Sequence, residues 1–207
     1  MNPLIYNKKE EAINIITHFI GFLLAIAGTF YLLFSAQTKE ELVSYLIYGF
    51  SAGILYLMST LYHSASKPKL RKIFKIADHA AIYLFIAGTY TPFILLKFRT
   101  SASEKLLLVV WLLALSGVIL KCFLTGRFKL ISTLIYLAMG WLIIVLGEEL
   151  GKNLTIECIL CLIAGGLSYS LGSFFYLFKR IPYHHGIWHL FVLAGSSFHF
   201  FALLVSH

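Results

Sequence analysis

His185 and His189 stand four residues apart, and on an α-helix that spacing turns both imidazoles to one face. Two such ligands joined by a third from another helix make the three-ligand, open-position arrangement of a catalytic zinc. The segment reads His185-Gly186-Ile187-Trp188-His189, so the glutamate that serves as general base in the H-E-x-x-H pattern is missing. A proton acceptor must then come from elsewhere, and Asp78, the only aspartate in the chain, is the obvious choice. His63 is the natural third ligand. Ser59 lies one helical turn before it and shares its face.

These residues sit in an unusually apolar chain. Hydrophobic residues make up 59% of the 207 and charged residues only 13%, against about 25% charged in a soluble domain. Such a composition cannot cover its own surface in water, but it can in lipid. A transmembrane helix needs about 20 mostly apolar residues. Seven stretches qualify, roughly 12–36, 42–64, 76–96, 104–123, 130–147, 154–178 and 185–206, joined by short polar segments such as Gln37-Thr38-Lys39-Glu40-Glu41 and Gly151-Lys152-Asn153. The expected fold is therefore an all-α membrane protein of seven transmembrane helices forming one domain over 1–207. The first apolar run is too long for the core of a secretory signal and lacks a small-residue cleavage site, so it is expected to remain as a span.

The formal charge of +8 has no aromatic-interleaved basic patch of nucleic-acid type behind it. The lysines and arginines lie between apolar runs, where they meet anionic headgroups, so the expected partners are membrane lipids and not nucleic acid. Counted on alternate sides of the seven spans, twelve basic residues fall with the N-terminus and five on the other face. That bias places the N-terminus in the cytoplasm and the C-terminus outside a plasma or inner membrane.

This orientation gives the chemistry a common depth. His63 comes at the cytoplasmic end of the second span, and Asp78, His185 and His189 come at the starts of the third and seventh. At 1.5 Å per residue, each lies within roughly 15 Å of a basic loop. Ionisable groups inside spans are costly and mark function more often than packing. Single histidines at interfaces are more simply snorkelling or hydrogen-bonded, which is the expectation for His18, His79 and His184. Cys158 and Cys161, one turn apart in an apolar run, read as small core residues. Haem between histidines is the weaker cofactor reading, because it needs neither Asp78 nor Ser59 beside it.

Taken together, Glu11-x-x-Asn14-x-x-Thr17-His18, Ser59-x-x-x-His63, Asp78-His79 leading into Ala87-Gly88-Thr89-Tyr90-Thr91-Pro92, and His185-x-x-x-His189 closely resemble the hemolysin III family. This is the prokaryotic branch of the progestin and adipoQ receptor group, and the resemblance spans the whole chain. It implies seven helices with a cytoplasmic N-terminus, zinc held by His63, His185 and His189, Asp78 contacting the water on that zinc, and Ser59 as the serine preceding the first ligand. In the related alkaline ceramidases such sites hydrolyse lipid amides. Three functions are compatible with these residues: an intramembrane zinc hydrolase acting on a lipid amide or ester, with Asp78 and Ser59 catalytic; a membrane-composition sensor with structural zinc; and a cytolytic, pore-forming hemolysin. The last lacks a polar stripe through the outer half of the spans.

Overall fold

Helix starts in this chain are set by side-chain oxygens that accept otherwise orphaned backbone N–H groups. Asn7 Oδ1 accepts from the Glu10 N–H at 2.8 Å. Thr38 and Glu41 form a reciprocal capping box, as do Thr100 and Ser103. Thr155 accepts from the Cys158 N–H. In the computed structural model, which describes residues 7–206, these caps open four of seven long helices. The seven are α1 (Lys8–Ser35), α2 (Lys39–Ser64), α3 (Pro68–Phe98), α4 (Ser101–Leu124), α5 (Lys129–Asn153), α6 (Ile156–Leu177) and α7 (His184–Leu204), each long and apolar enough to cross a bilayer. Among the described residues there is no strand. A helix satisfies its backbone hydrogen bonds internally, which is what a hydrocarbon surrounding demands.

Two boundaries differ from the sequence expectation. The third helix begins at Pro68 and not near residue 76, so Lys69, Arg71, Lys72 and Lys75 occupy its first turns and do not lie in a loop. Proline at the first helical position is pre-set for this start, and the helical turn carries Arg71 inward to a partner on α1. The fifth helix continues to Asn153, so Gly151-Lys152-Asn153 closes a helix where a loop was expected. It does so through a tighter 3₁₀ stretch, Leu142–Leu146. Tyr90 of α3 holds that irregular backbone: its hydroxyl accepts from the Ile143 N–H at 2.9 Å and faces the carbonyls of Met139 and Gly140. The α3 backbone is itself irregular: Pro92 supplies no N–H to the ladder, and just beyond it the helix widens into a π-helical turn over Ile94–Phe98.

The helices form a ring. α1 packs on α2 and α7, α2 on α3, α3 on α5, α5 on α6 and α6 on α7, while α4 lies against the outside of α3. Polarity runs opposite to that of a soluble protein. Phe34 is 86% exposed and Phe123 77%, whereas Asn14 is fully buried. Such an outer surface needs lipid around it. Close helix contacts use small residues: a side chain at Gly88 would collide with Ser51 of α2.

The ring leaves α3 and α7 starting at the end where α2 finishes, which brings Asp78, His185 and His63 to one level. The side of the membrane on which that level lies is open to a direct test. In a protein with Cys122, Cys158 and Cys161 replaced, single cysteines at positions 69 and 127 are expected to resist impermeant thiol reagents in intact cells. One at position 152 is expected to react. The reverse pattern would place the histidine end outside.

Candidate metal centre

The polar residues of α1 repeat at helical spacing: Glu11, Asn14 and His18 share one face of an otherwise apolar helix, with Thr17 beside them. That face meets the last turn of α2 and the first turns of α7. Glu11 Oε2 accepts a hydrogen bond from His63 Nδ1 at 2.6 Å. Its other oxygen pairs with the Arg71 guanidinium. Arg71 also donates to the Ala65 carbonyl at 3.3 Å and lies over the Tyr62 ring. Glu11, His63 and Arg71 are all at least 95% buried. A carboxylate so placed is tolerable only because both of its oxygens are engaged by donors.

His189 is oriented in the same way. Its Nδ1 stands 3.2 Å from the Asn14 carbonyl and 3.3 Å from Thr17 Oγ1. The Thr17 hydroxyl is already committed as donor to the carbonyls of Ile13 and Asn14. The proton therefore belongs on His189 Nδ1. His63 likewise donates from Nδ1, so in both rings the Nε2 lone pair is left for a ligand. His185 enters from the first turn of α7, where its backbone N–H meets Glu10 Oε1 at 3.4 Å, and its Nε2 lies 3.3 Å from His63 Nε2.

One ligand nitrogen from each of His63, His185 and His189 falls within 4.8 Å of the others, and all three residues are buried. Two nitrogens bound at 2.0–2.1 Å to one tetrahedral ion stand about 3.3 Å apart. The His63–His185 pair already has that separation, and outer carboxylate and carbonyl partners fix two of the three rings. The residues fit a three-histidine metal site. Among the described residues this is the one such cluster, and Asp78 is not part of it.

Asp78 and Ser59 instead line a cavity of about 130 Å³ that also touches His185 and His189. The Asp78 carboxylate is 3.2 Å from His79 Nδ1 and shares the cavity wall with His189. Ser59 is 1% exposed, and its hydroxyl has no hydrogen-bond partner among the described residues. Away from the histidines the wall becomes apolar, through Ile82, Phe85, Ile86 and Val192.

The remaining histidines divide. His79 is held by the Lys75 carbonyl at 2.9 Å and the Tyr176 hydroxyl at 3.4 Å, and His184 by the Phe175 backbone, so both are hydrogen-bonded as expected. His18 does not snorkel: it is 3% exposed and stacked on His189. Cys158 packs in the core with its thiol toward the Ala202 carbonyl. Sequence reasoning from spacing assigned no role to Glu11, Asn14, Thr17 or Arg71. The available signal was the three-and-four spacing of polar residues on one apolar helix.

Fold and site thus define a seven-helix membrane protein with a buried three-histidine centre capable of holding a metal. A family model described as Haemolysin-III related matches residues 6–200, and the chain belongs to that family. It is 48% identical over 199 residues to Hemolysin-3 of Bacillus cereus, covering 95% of this chain and 91% of the relative. It is 46% identical over 202 residues to the Hemolysin-3 homolog of Bacillus subtilis (strain 168), covering 96% and 95%. The human Monocyte to macrophage differentiation factor is 30% identical over 200 residues, covering 94% and 83%, which supports the wider progestin and adipoQ receptor relationship.

Removing a carboxylate behind a ligating histidine typically weakens metal binding 10- to 100-fold. Glu11→Gln, which keeps the shape and removes the charge, is expected to lower metal affinity by about that factor in a chelator competition. His199→Ala, remote from the triad, should leave affinity unchanged. Wild-type affinity in Glu11→Gln would remove Glu11 from the centre.

Proposed function

We propose that the chain is an intramembrane zinc-dependent hydrolase that cleaves a lipid amide or ester, with the histidine end of the bundle facing the cytoplasm. The observation that supports this reading most is the meeting of four features in one buried place: three clustered histidine nitrogens, a carboxylate outside the ligand set, an unpartnered hydroxyl, and an apolar cavity leading away from them. A closed structural site would need a fourth protein ligand, and Asp78 lies outside the cluster.

In this reading His63, His185 and His189 would hold the zinc, with the Nε2 atoms of His63 and His189 left free to bind it by the hydrogen bonds at their Nδ1 atoms. Zinc, when bound, polarises a carbonyl and lowers the pKa of water to about 7. The rest is the work of the chain. The cavity wall from Asp78 to Tyr90 follows α3 for roughly 18 Å at 1.5 Å per residue, which sets the direction in which the acyl chain would leave the site. The Asp78 carboxylate takes a proton from the attacking water, and the Ser59 hydroxyl donates to the carbonyl oxygen as negative charge develops there. Asp78 then returns the proton to the departing nitrogen or oxygen as the carbonyl bond to it breaks. The products are a fatty acid and an amine or alcohol, and Asp78 regains its starting state. Burial of the site excludes bulk water and strengthens each of these interactions.

Asp78→Asn separates this chemistry from a structural role. The variant is expected to keep wild-type zinc content while release of fatty acid from an acyl-amide lipid falls by about 10²-fold or more, the scale for losing a general base. Loss of zinc together with thermal stability would instead make Asp78 a ligand of a structural site. Zinc-loaded wild type that cleaves no ceramide, phospholipid or acyl-amide would move the reading to a membrane-composition sensor.

A further inference from the structure

We infer that His18 is a ligand-facing residue of the cavity, whose imidazole donates a hydrogen bond to the carbonyl-bearing head of the lipid held beside the histidine triad. The assignment rests on the lipid-hydrolase reading for its substrate class and adds a residue to that site. His18 stands on α1, 3% exposed. Its ring stacks on His189 with centroids 3.5 Å apart and planes 11° from parallel, and Tyr56 meets it at 5.1 Å with planes 89° apart. Two aromatic neighbours therefore hold the ring in place. Neither Nδ1 nor Nε2 has a hydrogen-bond partner among the described residues.

That arrangement is costly unless something in the cavity completes it. A neutral imidazole always carries one N–H, and a buried donor left unsatisfied forfeits the hydrogen bond that water gave it. Three other histidines of the cavity wall commit a nitrogen to a backbone carbonyl: His79 to that of Lys75, His199 to that of Gly195 at 2.8 Å, and His189 to that of Asn14, while His185 faces His63 in the triad. His18 instead lines the cavity shared with Asp78, Ser59, His185 and His189. It falls outside the group of clustered metal-ligand atoms, so its nitrogens are available to the occupant. The Ser59 hydroxyl, buried and without a partner in the same wall, is in the same position. Two donors beside the triad match a carbonyl oxygen, whereas a bare hydrocarbon chain would leave both unsatisfied. A site built to hydrogen-bond one group discriminates against the analogue that lacks it.

The test compares two probes of matching length: an N-palmitoyl amide, which carries the carbonyl, and an alkyl ether, which lacks it. Each competes with a fluorescent fatty acid for purified protein in detergent, with zinc content measured on the same samples. Wild type is expected to prefer the amide by roughly three- to tenfold, the scale of one hydrogen bond. His18→Phe keeps a ring to stack on His189 and removes both nitrogens. It should abolish the preference by weakening the amide alone, at unchanged zinc content. His18→Gln, which retains a donor, should keep part of the preference. Should the phenylalanine not be accommodated, His18→Ala with the same probes gives the same comparison. An amide preference that survives in His18→Phe, or a loss of zinc in that variant, overturns the assignment and makes His18 a support for His189. Wild type that binds neither probe removes this inference and the hydrolase reading together. Wild type that prefers the amide but cleaves neither it nor ceramide nor phospholipid removes the hydrolase reading and leaves His18 in place.

Discussion

A carboxylate in a hydrocarbon-embedded bundle must be answered on both oxygens, and Glu11 meets that requirement by joining three helices. From the first turn of α1 it takes a hydrogen bond from His63 on α2 and a charged donor from Arg71 on α3. Removing one partner of a buried pair costs about 3–5 kcal/mol, so the three cannot separate independently. The bond to His63 also settles which ring nitrogen carries the proton and therefore which one faces the other histidines. Packing and chemistry here depend on the same contact. Glu10 extends the arrangement to α7, through the backbone N–H of His185.

Around that constraint the ring of helices needs local irregularity. The π turn after Pro92 and the 3₁₀ stretch of α5 lie where Tyr90 crosses between them. In lipid a broken helix must have its freed groups satisfied within the protein, and the Tyr90 hydroxyl does this for the Ile143 N–H. Tyr90 and Gly140 both line the cavity, so the irregular segment forms part of the wall of the proposed acyl-chain path.

The seven spans were legible because twenty-residue apolar runs are a strong and local signal. Their ends were less so: the start of α3 looked like a loop because lysine and arginine read as solvent-facing, and nothing local shows that Arg71 turns inward. The three clustered histidines were legible from an i, i+4 pair and a shared depth. Glu11 and His18 show where that reasoning ends. Each is a single polar residue on an apolar helix, and its partners lie 52 positions away on α2 for Glu11 and on α7 for His18. Spacing along one helix identifies a polar face but not what that face meets. The bland expectation for His18 failed for this reason.

The clustered nitrogens of His63, His185 and His189 could hold a metal ion, and the proposed function requires that ion to be zinc. X-ray absorption at the zinc edge, on protein purified in detergent, addresses it directly. A three-histidine zinc site predicts a shell of nitrogen or oxygen scatterers at about 2.0–2.1 Å with the outer-shell signature of histidine imidazoles, lost in His189→Ala. A sulfur shell at about 2.3 Å, or a spectrum unchanged in His189→Ala, would contradict it.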